Sequence, residues 1–194
     1  MNSYEVLLNI HRIGSRISGV VIACDEPDNS LGTVSGRVTL QTETAYRALL
    51  PYSHMVDQLS SFSPKIIPVV GSRVDAVVFN FVDGTLYLST KPEDLSDTTI
   101  RKWQQYYDYI GSLTIDSTIT GTVKHKVPFG LFVNIGSPFI GLIDIGHVRF
   151  NGGGQLPYDS ADWPNEGDEI QCNVGYFRFH NQQIGLGWLP ANGS

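Results

Sequence analysis

Cysteine and methionine occur only twice each in 194 residues, and Lys and Arg total 13 against 19 Asp and Glu. Each scarcity excludes something. Cys24 and Cys172 lie in opposite halves with no companion at metal-ligand or redox-motif spacing, so they read as two reduced thiols buried in strands rather than a disulfide or a zinc pair. The N-terminus lacks the basic, apolar and small-residue succession of a secretion signal, and no apolar run is long enough to span a bilayer. A soluble, cytoplasmic protein with no membrane partner is expected. Residues 1–92 hold 8 acids and 7 bases, 93–118 hold 5 and 2, and 119–194 hold 6 and 4. Nonspecific nucleic-acid affinity comes from basic residues neutralising phosphates, so the net charge of −6 excludes indiscriminate binding.

Catalytic and metal-binding patterns are also missing. Asn151-Gly152-Gly153-Gly154 is rich in glycine, but no Lys followed by Ser or Thr closes it as a phosphate-cradling loop requires, so it reads as a flexible loop. His54 and His147 have no further His, Cys or carboxylate at ligand spacing. Ser53-His54 and Asp144 belong to different halves, with no oxyanion-hole motif beside them. No enzyme, metal or cofactor is expected.

What is present is strand patterning. Residues 119–148 read as three consecutive strands: a β-branched run around Gly121 and Val123, then Phe129-Gly130-Leu131-Phe132-Val133, then Gly141-Leu142-Ile143. Gly130 permits a sharp bend at a barrel corner. Closed five-stranded barrels of this kind bind oligonucleotides on the face of strands two and three, where exposed rings stack on bases.

The first half repeats this unit in weaker form. Ile17 to Val21 resembles Ile119 to Val123, and Ala48 to Met55 aligns without a gap on Gly141 to Val148. Gly71-Ser72-Arg73-Val74 answers Gly167-Asp168-Glu169-Ile170, and Leu86 to Ser89 answers Ile184 to Gly187. Between the copies, Trp103, Tyr106, Tyr107 and Ile110 fall at i, i+3, i+4 and i+7, which predicts a helix that packs its stripe on one or both barrels. Asp97 is the expected N-cap and Gly111 the stop. The expected fold is all-β: two tandem five-stranded OB-fold barrels at 1–92 and 112–194, joined by a short amphipathic helix within 93–111.

Gly121-Thr122-Val123, Phe129 to Val133, Gly141 to Gly146 and Gly167-Asp168 together resemble the S1 RNA-binding domain family, OB-fold modules of ribosomal and RNA-processing proteins. The resemblance covers about the C-terminal two fifths of the chain, and the first half resembles a degenerate copy. It implies a ligand face built from Phe129, Phe132, Asp144, Arg178 and Gln183. Only the two phenylalanines keep the family's residue types: Asp144 stands for a histidine, Arg178 for an acid and Gln183 for a base. In the first copy the corresponding positions are approximately Ser35, Val38, Pro51, Val82 and Thr85, none of which keeps the family residue.

Two functional readings stand. In the first, single-stranded RNA stacks on Phe129 and Phe132, with Lys124, Lys126 and Arg178 on phosphate, and His125 and Arg149 completing a local positive patch. In the second, acidic and degenerate barrel faces engage a basic protein partner, such as a toxin held by an immunity-type inhibitor. Alternation places Tyr176, Arg178 and His180 on one strand face, either against phosphate or in solvent. For the phenylalanines, the alternative to stacking is one ring in the core and one alone on the surface. The first barrel, lacking a platform, reads as structural or protein-binding.

Overall fold

The computed structural model describes residues 2–28, 34–146, 156–157 and 159–190. His147, Arg149 and the 151–154 glycine run lie outside them. A short helix α1 (Ser3–Asn9), closed by a capping box between Asn2 and Glu5, precedes β1 (Arg16–Cys24), β2 (Arg37–Thr42), β3 (Arg47–Pro51), β4 (Arg73–Val82) and β5 (Thr85–Ser89). Next come α2 (Pro92–Leu95) and α3 (Asp97–Gly111), followed by β6 (Thr118–Val127), β7 (Gly130–Asn134), β8 (Gly141–Asp144), β9 (Glu169–Arg178) and β10 (Gln183–Leu189). Each set of five strands closes into a barrel, β1-β2-β3-β5-β4 and β10-β8-β7-β6-β9, with one parallel pair each, β3 with β5 and β8 with β10. This is the tandem OB arrangement expected from the sequence. The compact units are Met1–Tyr107 and Asp108–Ser194, so the division falls inside α3 rather than at either of its ends.

The two barrels agree strand by strand. Gly19 and Gly121 occupy the same place in the first strand, opposite Val74 and Ile170. A one-residue bulge follows at Ile22 in one copy and at Lys124 in the other. Each barrel is entered by the same turn: Ser15 Oγ donates to the Arg12 carbonyl and Ser117 Oγ to that of Thr114, both at 2.6 Å. The correspondence therefore extends to this turn. Alternation sends Val21, Val38, Leu40, Leu86 and Leu88 into the first interior, and Val123, Leu131, Val133, Val174, Ile184 and Leu186 into the second, all essentially buried. Full burial of one such side chain stabilises the fold by about 1.5–3 kcal/mol.

Helix α3 is capped by Ser96, whose Oγ accepts from the Thr99 amide, and not by Asp97; Asp97 is the first helical residue. Within the first unit, Trp103 lies directly over Gly14, and the buried Tyr107 hydroxyl accepts from the Ile13 amide and donates to the Leu7 carbonyl, each at 3.0 Å. Burial pushes the Tyr107 phenol up to about 12, so this bridge stays protonated at all ordinary pH. Within the second unit, Tyr109 packs on Phe139 with ring centroids 5.8 Å apart. Both thiols are free: Cys172 is buried and pushed up to about 12, whereas Cys24 is only half-buried.

His54 stacks on Phe79 at 4.0 Å, and its Nδ1 is buried without a hydrogen-bond partner. Burial, with Lys91 nearby, lowers its pKa from 6.5 against an opposing pull from Asp94. The folded state therefore binds this proton less tightly than the unfolded chain. The resulting stability is fully present above about pH 6.5 and is lost as pH falls through that value towards the folded pKa. His11, also lowered by burial, acts in the same window. In urea titrations, His54→Gln is expected to flatten the decline in stability between about pH 7 and about pH 5. An unchanged decline would show that His54 does not enter the folded state neutral.

Candidate nucleic-acid interface

The face of the second barrel can be read from its registers. His125 on β6 pairs with Phe132 on β7, Phe132 with Leu142 on β8, Leu142 with Gly185 on β10, and Gly185 with Tyr176 on β9. Directly paired residues point to the same side of a sheet, so these five form one row across the barrel, in which Leu142 and Gly185 are buried and His125, Phe132 and Tyr176 reach the surface to differing extents. Leu131 and Val133, the neighbours of Phe132 along β7, point inward, which turns Phe132 outward and leaves it half-buried. Phe129 precedes β7 and is 49% exposed; its ring meets that of Phe132 edge-to-face, with centroids 6.0 Å apart. The two rings thus share one side, one presenting its edge to the other's face.

Gly185 is what allows Tyr176 into the row. The tyrosine ring lies flat on the strand where a Cβ on Gly185 would otherwise stand. Burial raises the Tyr176 phenol, while Arg178 beside it pulls the other way. Arg178, at the end of β9, also bonds Asp144 at the end of β8, with Nη1 3.2 Å from Oδ2 and both side chains largely covered. Two of the three residues that depart from the resembled pattern are therefore partners, and the Arg178 charge is met from within the protein. His180 falls in a 3-10 turn after β9 rather than on the strand with Tyr176 and Arg178.

The basic residues expected in one patch divide between two places. The bulge at Lys124 shifts the phase of β6, so His125 takes the outward place opposite Phe132 and Lys126 pairs instead with inward-facing Leu131. Lys126 turns over the barrel end, where Nζ lies 3.4 Å from the Trp163 carbonyl and 5.9 Å from its ring centroid. Lys124 is exposed. His125 is exposed too, with Nδ1 3.8 Å from Glu166 Oε1. The side beside Phe132 thus carries Lys124 and His125 on β6 and the Asp144–Arg178 pair across β8 and β9. Tyr176 and His125, which the sequence placed on a strand face and in a positive patch respectively, both belong to this side of the barrel.

In the first barrel the same row reads Ala23, Thr39, Leu49, Tyr87 and Asn80. The equivalent of Phe132 is therefore Thr39, not Val38, which is fully buried. The equivalent of Phe129 is Gly36 rather than Ser35: the Tyr52 amide bonds the Gly36 carbonyl as the Ile145 amide bonds that of Phe129. Pro51, Val82 and Thr85 hold the places of Asp144, Arg178 and Gln183 as aligned. Strand two carries no ring, and Tyr52, fully buried, lies over Gly36 with its hydroxyl donating to the Asp25 carbonyl. Phe62 from the β3–β4 connection packs on Tyr52 at 5.5 Å. The chain itself thus covers this corner of the first barrel, where the second leaves Phe129 and Ile145 open.

Among the described residues no group of His, Cys, Asp and Glu is arranged to hold a metal ion, and no helix is long and apolar enough to cross a membrane. No protein-family model matches the chain, and no curated protein matches it. Similar solved structures include GSP13 from Bacillus subtilis, at 23% identity over 43% of this chain and 65% of that one, with a TM-score of 0.33. RNase R of Mycoplasma genitalium, solved in complex with ribose-methylated single-stranded RNA, is 16% identical over 50% of this chain and 17% of its own, with a TM-score of 0.34. A multidomain protein with nucleic acid binding domains from Streptococcus pneumoniae is similar over 95% of this chain and 54% of its own, at 12% identity and a TM-score of 0.29. The chain thus spans less than two thirds of each of these three. At these scores the likenesses carry no argument about activity, and the functional reading rests on the barrel face.

Proposed function

We propose that this chain is a non-enzymatic, S1-like protein that binds single-stranded RNA through its second barrel, in the cytoplasm. The observation that supports the reading is the outward pair of Phe132 on the second strand of an OB barrel and Phe129 just before it, Phe132 lying in a row that ends in Tyr176. Base stacking on an exposed ring contributes about 1–3 kcal/mol per base and needs little net charge, which suits an acidic chain. Lys124, exposed on β6 next to the residue that pairs with Phe132, supplies local positive charge. Asp144 neutralises Arg178, so the arginine positions the face more than it draws in phosphate.

Titration of labelled single-stranded RNA at several salt concentrations tests this. Phe132→Ala is expected to weaken binding by about 1–3 kcal/mol with the salt slope unchanged, because stacking releases few counterions. Lys124→Ala should reduce the slope by roughly 0.7, the single-strand value for one phosphate. Arg178→Ala should leave it nearly unchanged, whereas Asp144→Asn should steepen it by roughly 0.7 by releasing the guanidinium. Absence of binding at about 1 μM protein in low salt, or wild-type affinity in Phe132→Ala, would defeat the proposal and leave a basic protein as the partner to pursue.

A further inference from the structure

The turn before β1 and the side of α3 that packs on it line a hollow of about 260 Å3 within the first unit. The chain carries a net charge of −6, yet the charged residues lining this hollow are Arg12 and Arg16, and among the described residues no carboxylate lines it. Trp103 forms one wall, half-buried and seated on Gly14, whose φ of +81° and missing side chain bring the turn against the indole. Tyr107 forms another and is fixed by its hydroxyl bridge between Ile13 and Leu7. Arg12 stacks on that ring, its guanidinium carbon 5.2 Å from the centroid. Arg16 is 60% exposed and its Nη2 makes only long contacts, 3.4 Å to the Leu95 carbonyl and 3.5 Å to Asp97; that carboxylate is itself 79% exposed, so water weakens the pair. Gln104 adds an amide with both donor and acceptor groups.

We propose that this hollow binds a single nucleotide unit, with the base against Trp103 and Gln104 and the phosphate between Arg12 and Arg16. The guanidinium fork matches phosphate oxygens, and two of them balance a terminal phosphate of charge about −2. A flat ring beside a primary amide suits a base, which offers a face to stack and an edge to hydrogen-bond. The volume lies just below the usual range of about 300–1,000 Å3 for ligand cavities, so it fits one nucleotide and not a strand. The site is separate from the phenylalanine face. The unit bound has two sources, a free mononucleotide or the 5′-phosphorylated end of an RNA.

The test uses the full chain carrying Phe129→Ala and Phe132→Ala, which removes the second-barrel face and keeps the two proposals distinguishable. Adenosine 5′-monophosphate and adenosine are titrated while nitrogen-edited NMR follows the Gly14 and Ser15 amides and the Trp103 indole. The monophosphate is expected to move all three signals and to bind roughly tenfold more tightly than adenosine, the difference a charge-assisted contact makes. Arg16→Gln should lose that tenfold while leaving adenosine unchanged. A 5′-phosphorylated tetraadenylate that binds more tightly than the monophosphate, and more tightly than its 5′-hydroxyl form, identifies an RNA end as the source. The reverse order identifies the free nucleotide. The proposal is overturned if none of the three signals moves at about 1 mM ligand, if adenosine and its monophosphate bind alike, or if Arg16→Gln and Arg12→Gln both bind the monophosphate like the parent.

Discussion

Gly130→Ala is expected to destabilise the second barrel by roughly 2–6 kcal/mol, the combined range for forcing a left-handed residue and overpacking a filled site. The glycine sits at φ +148°, where L side chains are strained, and pairs with Asp144 at the corner between β7 and β8. A Cβ there would stand 3.0 Å from the Ile143 carbonyl carbon and closer still to its oxygen, and neither backbone atom can move without disturbing the strand pair. Gly136 provides the comparison, with φ +72° and nothing within 4 Å of the added carbon. Gly136→Ala should cost only the conformational part, about 1–2 kcal/mol. Urea unfolding of both variants decides the matter. Equal losses would mean that the close approach of β7 and β8 at this corner is not real.

The second large effect concerns the covered corner of the first barrel. Tyr52→Ala is expected to cost about 3–5 kcal/mol, the range for removing a buried aromatic side chain, whereas Ile145→Ala at the equivalent place should cost about 0.5 kcal/mol or less. The two residues make the same backbone bond, to Gly36 and to Phe129 respectively, yet Tyr52 is fully buried and Ile145 is 45% exposed. Gly36 leaves room for a ring, and the β3–β4 connection supplies Phe62 to close over it. In the second barrel the glycine's place is taken by Phe129, which faces outward. Similar losses for the two variants would show that Tyr52 does not seal this corner and that the first barrel has an open face there.

Much of the architecture was legible because its determinants are local or repeated. Glycines at 19 and 121, the ungapped match of Ala48–Met55 with Gly141–Val148, and the stripe Trp103-Tyr106-Tyr107-Ile110 depend only on side-chain size and spacing. The register of β2 was not legible. Arg37–Thr42 lacks the Phe-Gly pair that anchors the register of β7, and an error of one residue exchanges the inner and outer faces, so Val38 was read where Thr39 stands. Asp97 competed with Ser96 for the cap because both residue types accept hydrogen bonds from the first turn. Composition alone cannot choose between them.

By itself, then, the sequence determined two OB barrels with an intervening helix, and two phenylalanines at the start of and within the second strand of the second barrel. Tertiary structure decided what accompanies those rings. A bulge at Lys124 set His125, and not Lys126, directly opposite Phe132, since one extra residue reverses the alternation along β6. Barrel closure brought the ends of β8 and β9 to either side of β10, and only there do Asp144 and Arg178 meet and cancel. The same closure laid Tyr176 across Gly185, and the packing of α3 on the turn before β1 set Arg12, Arg16 and Trp103 around one hollow. The physical reason is common to all of them. Alternation and residue type act over a few positions, whereas pairing across strands and between helix and turn is fixed by the burial of the whole unit.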